Sequence, residues 1–384
     1  MDALILSVGT GGGHNAAGYA VKEELLRRGH NVEMMNPYDL KSSKTSKIID
    51  NTYIKLVQTV PKAFGLVYFI GDAYRRLPWR SPVYFANRRM AAVLKEYLDE
   101  HHFDIVIMPH LFPAEMMTSI LNNGWERPKT LFITTDYTCT PFIEETKLDA
   151  YIIPTSQLWS EFESFGVPSE RMFSLGIPTL SGYKSDISKS EAKKALGLSE
   201  SKRYILITGG SMGSGNLVKI VRYILKWRQD CHYEDIEPVI ICGSNKKLYE
   251  RMENEFPQDC VVVGYTTKMP LYMKACEIFM TKPGGLSSTE AASAGIPIVH
   301  ITPIPGCESK NLRYFEEHGM SIFAKCSEKS IRKALDYLEK SENRDKMVLC
   351  QKKYLNDKAA SDICDLAQRL VEEKEKDKEL VLCS

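Results

Sequence analysis

The fold of this chain can be read from Ala3-Leu4-Ile5-Leu6-Ser7-Val8-Gly9-Thr10-Gly11-Gly12-Gly13-His14. A short, unbroken apolar run has no polar face to offer water, so it reads as a strand of a parallel sheet covered on both sides. Glycines follow at once, and an amphipathic helical stretch, residues 16–27, follows them. Strand, glycine turn and helix in that order are the start of a βαβ unit. The alternation continues with strand candidates at 32–35, 104–108, 130–134 and 151–153, separated by helical stretches such as 90–100 and 113–121.

Residues 176–198 interrupt it. This segment is rich in Gly, Pro, Ser and Lys and reads as a linker running into a capped helix near Ser190. Strand candidates then resume at 204–208, 238–242, 261–263, 278–280 and 296–301. The expected architecture is α/β, with two Rossmann-like parallel-sheet domains facing a cleft. The expected domains are 1–178, 179–342 and a helical tail, 343–384, packing back on the first domain, with a frayed mixed-charge end at 372–379. A length of 384 residues suits two domains, and 43% hydrophobic with 26% charged residues supplies two cores and excludes wholesale disorder. No apolar run nears the roughly 20 residues that cross a bilayer. The opening strand also lacks the pattern of a signal peptide, so the expected address is inside the cell. Ten cysteines without a C-x-x-C pair fit that address; Cys242, Cys260 and Cys276 read as small buried hydrophobes. No His/Cys cluster has zinc spacing.

Three glycine-rich segments carry the chemistry. In the first, the amides of Gly12 and Gly13 at a helix mouth suit an anion, although neither G-x-G-x-x-G nor a P-loop Lys-Ser/Thr is present. His14 there is either a general base, titrating near neutrality, or a cap and packing residue. The second, 208–216, joins the amides and hydroxyls of Gly210, Ser211 and Met212 to another helix start, an arrangement suited to a diphosphate. The third, 281–297, places Glu290 one turn into a helix of small residues. It either accepts two ribose hydroxyls or is an ordinary acid favoured by the helix dipole.

Charge is unevenly spread. The net is +1, yet residues 41–90 hold ten Lys or Arg against two acids. Between Lys41 and Arg89 eight aromatics (Tyr53, Phe64, Tyr68, Phe69, Tyr74, Trp79, Tyr84, Phe85) interleave with Lys62, Arg75, Arg76 and Arg80. Such a segment suits an anionic membrane surface, at about 1 kcal/mol per cation near the leaflet. The alternative is a solvated cationic helix face with some core aromatics. Nucleic acid is not an expected partner, since no module for it is visible.

Taken with Gly264-Tyr265-Thr266-Thr267-Lys268-Met269, Lys282-Pro283-Gly284-Gly285, Thr289-Glu290-Ala291 and Pro305-Gly306-Cys307-Glu308 followed by Asn311, these segments resemble glycosyltransferase family 28 over roughly residues 1–340. That family holds bacterial diacylglycerol glucosyltransferases, plant monogalactosyldiacylglycerol synthase and a peptidoglycan GlcNAc transferase. The opening Gly-Thr-Gly-Gly-Gly-His, the basic-aromatic insert and Thr135-Asp136-Tyr137 are similar to the lipid branch. The resemblance implies a GT-B fold with the acceptor on the first half and a UDP-sugar on the second. It implies that Gly210, Ser211 and Met212 bind the diphosphate and that Tyr265, Thr266 and Met269 line the uracil pocket. By the same resemblance Gly284, Gly285 and Ser287 line the donor site, Glu290 holds the ribose, and Cys307, Glu308 and Asn311 approach the donor sugar. His14 faces the acceptor hydroxyl. Cys307 stands where the family pattern has Gln, and a thiol cannot replace an amide's paired donor and acceptor, so the sugar stays open with glucose first.

The expected reaction is inverting hexosyl transfer from a UDP-sugar to diacylglycerol or a related glycolipid, by a peripheral protein on the cytoplasmic membrane face. His14 is the expected base, with Asp136 orienting it or sharing the role. No D-x-D occurs, so donor binding is expected to need neither metal nor other cofactor. The alternatives are a polyprenyl-linked cell-wall precursor or a small soluble aglycone as acceptor, or a catalytically silent UDP-sugar-binding protein. A UDP-GlcNAc 2-epimerase shares the architecture but needs carboxylates that have no counterpart here.

Overall fold

The structure, a computed structural model, describes residues 1–9, 12–41, 61–121 and 128–382, without the side chains of 61–67 and 375–382. Thr10 and Gly11 of the first glycine segment, and 42–60 of the basic segment with Tyr53, lie outside the described residues. So do the side chains of Lys62 and Phe64. The chain divides into two compact units, Met1–Leu180 with Asn356–Ser384, and Ser181–Leu355.

The first unit alternates β1 (Asp2–Leu6), α1 (Gly12–Arg27), β2 (Asn31–Met35), α2 (Pro61–Tyr74), α3 (Pro82–Glu100), β3 (Ile105–Met108), α4 (Leu111–Leu121), β4 (Lys129–Ile133), β5 (Ala150–Ile152), α5 (Trp159–Ser164) and β6 (Met172–Phe173). Its strands pair in parallel in the order β2-β1-β3-β4-β5-β6, with Leu4 opposite Val106 and Ile5 opposite Ile107. The unbroken apolar strands have a physical reason. Leu4, Leu6, Val106 and Met108 bury against Leu94 of α3 and Met116 and Met117 of α4. On the opposite face Ile5, Ile107, Leu131 and Ile133 bury against Val21 and Leu25 of α1.

The second unit runs α6 (Lys189–Ala195), β7 (Arg203–Thr208), α7 (Leu217–Asp230), β8 (Ile236–Ile241), α8 (Lys246–Glu255), β9 (Val261–Val263), α9 (Met269–Ala275), β10 (Ile278–Thr281), α10 (Gly285–Ala294), β11 (Ile298–Ile301), α11 (Cys307–Glu317), β12 (Ile322–Ala324), α12 (Glu328–Glu339) and α13 (Ser341–Tyr354). Its parallel order is β12-β11-β10-β7-β8-β9. Trp227 of α7 is fully buried and donates its Nε1–H to Asp336 of α12 at 2.7 Å, so the largest core side chain leaves no polar atom unpaired. The capped helix expected near Ser190 starts two residues earlier, at Ser188, which forms a capping box with Glu191.

The terminal helices divide between the units. Met347 and Gln351 of α13 are buried in the second, where Gln351 donates to the carbonyls of Ile296 and Met320. The last helix, α14 (Ala359–Leu382), buries Ile363, Cys364, Ala367 and Leu370 against the first sheet. Arg28, just past the end of α1, fastens it through Asp365, Gln368 and the Ser361 carbonyl. Cys242 and Cys276 are buried as expected, whereas Cys260 is half-buried before the short edge strand β9.

Each sheet has one position where the chain leaves neighbouring strands in opposite directions. From β1 it passes to β2 on one side while β3 lies on the other; from β7 it passes to β8 while β10 lies on the other. A crevice opens there at the strands' C-terminal ends, and that is where ligands bind in such sheets. Close backbone packing shapes the second crevice. A Cβ on Gly209 would fall under 3.0 Å from the Ser214 carbonyl oxygen, and one on Gly213 would collide with the Cys242 carbonyl. Backbone cannot yield as a flexible side chain can. Gly209→Ala should therefore destabilise the second unit by about 2 kcal/mol or more, lowering its melting transition by several degrees. A calorimetric trace superimposable on wild type would contradict this packing.

Candidate functional site

In the first unit α1 begins at Gly12, four residues before the helical stretch read from the sequence, so Gly12, Gly13 and His14 form its first turn. His14 is half-buried, and its Nδ1 lies 2.8 Å from the Pro109 carbonyl oxygen at the end of β3. A carbonyl only accepts, so Nδ1 carries the hydrogen and Nε2 keeps its lone pair. Thr135 Oγ1, beyond β4, lies 3.0 Å from the same nitrogen. The His110 ring stands edge-on at 4.5 Å, with its own Nδ1 accepting from the Phe112 amide. Burial lowers the pKa of His14, while the Asp136 charge and the Pro109 bond oppose that; the net shift is downward. Loops from three adjacent strands thus hold a neutral imidazole whose Nε2 can take a proton.

In the second unit the loop after β7 folds on itself, with Ser214 N–H donating to the Gly209 carbonyl at 3.1 Å and Gly213 N–H to Gly210 at 3.0 Å. Gly210 adopts φ +77°, a conformation natural to glycine. The β8–α8 loop pins it from outside: Ser244 N–H donates to the Ser211 carbonyl and Asn245 Nδ2 to the Gly213 carbonyl, each at 3.0 Å. Ser211 is exposed, Met212 half-buried, and α7 opens at Leu217 with no side-chain cap from Asn216. Uncapped amides at a helix start attract an anion.

Beside this loop, at the end of β10, Lys282 is nearly buried and its Nζ pairs with Glu308 Oε1 at 3.0 Å. The other oxygen of Glu308 accepts from the Ile304 amide at 2.7 Å. Asn311 is wholly buried and donates to the Pro283 carbonyl at 3.0 Å. Glu308 and Asn311 therefore have internal duties: one holds Lys282, the other braces the turn that follows it. Cys307 opens α11, half-buried, behind Gly306.

Gly284 and Gly285 begin α10, Ser287 is half-buried in its first turn, and Glu290 lies buried one turn on. Burial pushes the Glu290 carboxyl up to about 8, and a hydrogen bond from Tyr183 opposes it. Beneath α10, neutral His300 is bracketed by Ser288 and Ser321 hydroxyls at 2.9 Å each, burial holding its pKa down at about 3. Tyr265 is 74% exposed, Thr266 Oγ1 accepts from the Lys268 amide, and half-buried Met269 opens α9.

The basic-aromatic segment is partly spent inside the fold, which corrects the sequence reading. Arg75, with a side chain only 1% exposed, pairs with Glu144 at 2.6 Å and stacks on Phe165. Arg80 donates to the Glu145 carbonyl and covers the ring of buried Tyr84. Removing a charge from water requires such partners, so these two cations are committed to the fold. Exposed along α2, the turn after it and α3 are Phe69 (69%), Ile70, Leu77, Trp79 (66%) and Phe85, together with Arg76, Arg88 and Arg89.

Sequence reasoning gave no role to Pro109, His110, Tyr183 or the Lys282–Glu308 pair. The signal for the first two was present: once β1 and β3 are neighbours, the loop after β3 must face the loop that carries His14. Tyr183 had no local signal, since a single Tyr in a linker resembles any other.

Residues 14–179 match the family model for monogalactosyldiacylglycerol (MGDG) synthase, and residues 204–369 match the glycosyltransferase family 28 C-terminal domain. The chain is 24% identical over 349 residues to a processive diacylglycerol beta-glucosyltransferase of Bacillus pumilus, covering 90% of this chain and 88% of that one. In fold it is similar to Acinetobacter baumannii MurG, with a TM-score of 0.60, 13% identity and coverage of 96% and 99%. It is also similar to the UDP-GlcNAc 2-epimerase of Neisseria meningitidis, with a TM-score of 0.63, 13% identity and coverage of 96% and 100%. With one family model on each half and two parallel sheets of this order, the chain belongs to glycosyltransferase family 28 and is a GT-B glycosyltransferase of the branch that includes the MGDG synthases.

Proposed function

We propose that this protein transfers a hexose, glucose before galactose, from a UDP-sugar to diacylglycerol or a related membrane glycolipid, with inversion at the anomeric carbon. The observation that carries this reading is the tautomer of His14: its Nδ1–H is tied to the Pro109 carbonyl, leaving Nε2 as the acceptor. The lipid-transferase family model covers the half that holds His14. The acceptor's oxygen attacks the anomeric carbon as its proton passes to Nε2. The bond from that carbon to the β-phosphate oxygen breaks, and its electron pair leaves with UDP. Asp136 stabilises the imidazolium formed.

The departing diphosphate lies over the glycine loop, where amides of Gly210, Ser211 and Met212, the start of α7 and the Lys282 ammonium meet its charge. One ammonium and the backbone dipoles at that place are the charge stabilisation this reading assigns to the departing UDP. Gly12 and Gly13 contribute helix-start amides to the reacting centre. Tyr265, Thr266 and Met269 hold the uracil, Glu290 takes the ribose, and Gly284, Gly285 and Ser287 let the donor lie against α10. Cys307 and Glu308 form the wall beside the sugar, with buried Asn311 bracing the Pro283 turn behind them. Among the described residues no helix is long and apolar enough to cross a membrane. Exposed Phe69, Trp79 and Phe85, beside Arg76, Arg88 and Arg89, instead support peripheral docking on the cytoplasmic face.

Three outcomes test this. His14→Ala should lower kcat by roughly 10²–10⁴-fold while leaving UDP affinity within about twofold of wild type; a folded variant with normal turnover removes the base assignment. His14 is competent only when neutral and its pKa is depressed, so the acid limb of kcat/KM should lie below 6.5, the ordinary imidazole value. Asp136→Asn deletes a charge that raises that pKa and should move the limb lower still; an upward move would contradict the electrostatics. Finally, Phe69→Ser with Trp79→Ser should weaken sedimentation with anionic vesicles by about tenfold or more. Equal binding of wild type to anionic and neutral vesicles would count against charge-assisted docking.

A further inference from the structure

The turn Ser181–Lys184 opens the second unit, and Tyr183 within it is buried. Its hydroxyl donates to the Glu290 carboxylate on α10. Its neighbour Gly182 lies against α9, where a Cβ would stand 3.4 Å from Pro270 Cγ. One four-residue turn therefore touches both the helix that carries Glu290 and the start of the helix that follows Tyr265 and Thr266.

A buried carboxylate left alone can rotate or take up a proton, and either change spoils its geometry towards a pair of vicinal hydroxyls. The two oxygens offer about four lone-pair positions. A single donor from Tyr183 occupies one of them, favours the ionised form and stops rotation, leaving positions for two hydroxyl donors. Ribose presents two neighbouring hydroxyls, whereas 2′-deoxyribose presents one. We infer that Tyr183 is a positioning residue for nucleotide recognition, locking the Glu290 carboxylate so that the donor site selects ribonucleoside over 2′-deoxyribonucleoside diphosphates. This rests on the reading of Glu290 as the ribose contact, and no family model or relative's name assigns Tyr183 a role.

Calorimetric binding of uridine diphosphate and 2′-deoxyuridine diphosphate to the full chain tests it without acceptor or membrane. Wild type should prefer the ribonucleotide by roughly 10- to 100-fold, the worth of one hydrogen bond to a charged group. In Tyr183→Phe, which keeps the ring and its packing, the preference should fall to about threefold or less, mainly through weaker UDP binding. A role confined to packing would leave the ratio unchanged. Should Tyr183→Phe melt early, Tyr183→Met fills the pocket without a hydroxyl and must show the same collapse. A preserved ratio in a folded Tyr183 variant, with the ratio lost in Glu290→Gln, overturns the positioning role and keeps the ribose contact. A preserved ratio in Glu290→Gln overturns both.

Discussion

Parallel pairing of each unit's first strand with a neighbour on either side is the constraint from which the rest of this protein follows. Because β1 pairs with both β2 and β3, and β7 with both β8 and β10, connections must depart to opposite faces of each sheet. The loops leaving β1 and β3 are then driven together, and so are those leaving β7 and β10. His14 meets the Pro109 carbonyl for that reason, and Lys282 comes to lie beside Gly210 for the same one. Burial of the strands on both faces supplies the free energy: a fully buried Leu or Ile is worth about 1.5–3 kcal/mol, and most strand positions are buried and apolar.

On this frame the protein keeps its ionisable groups under tight control. His14 is held neutral by burial and oriented by a carbonyl, which is the state a proton acceptor needs. Lys282 is held by its pairing with Glu308, and Glu308 stays in place because the Ile304 amide takes its second oxygen. Glu290 is under stress, pushed up to about 8 by burial with Tyr183 opposing. A donor that brings two hydroxyls relieves that stress, so the binding energy of a remote part of the substrate is available to hold the reacting part in place.

Much of this was legible in the sequence, and for identifiable reasons. Strands buried on both faces must be apolar throughout, so β1, β3, β4, β7 and β10 stood out within a residue or two of their ends. Glycine loops stood out because close backbone approach tolerates nothing else, as the space around Gly209 and Gly213 confirms. Edge strands β6 and β12, two and three residues long, fell below any periodic pattern. The start of α1 at Gly12 was missed because glycine is a poor helix former. The partners of Arg75 and Tyr183 were beyond reach. Glu144 lies 69 positions from Arg75 and Glu290 more than a hundred from Tyr183, and only the tertiary fold joins them.

The catalytic account reduces to one product. Incubation of the full chain with UDP-glucose and diacylglycerol in anionic vesicles, read by mass spectrometry and by the proton coupling at the anomeric carbon, examines donor, acceptor and stereochemistry together. The account predicts a diacylglycerol bearing an added hexose in the β configuration, opposite to the α linkage of the donor. An α-linked product, or release of UDP without any hexosyl-lipid, would contradict it.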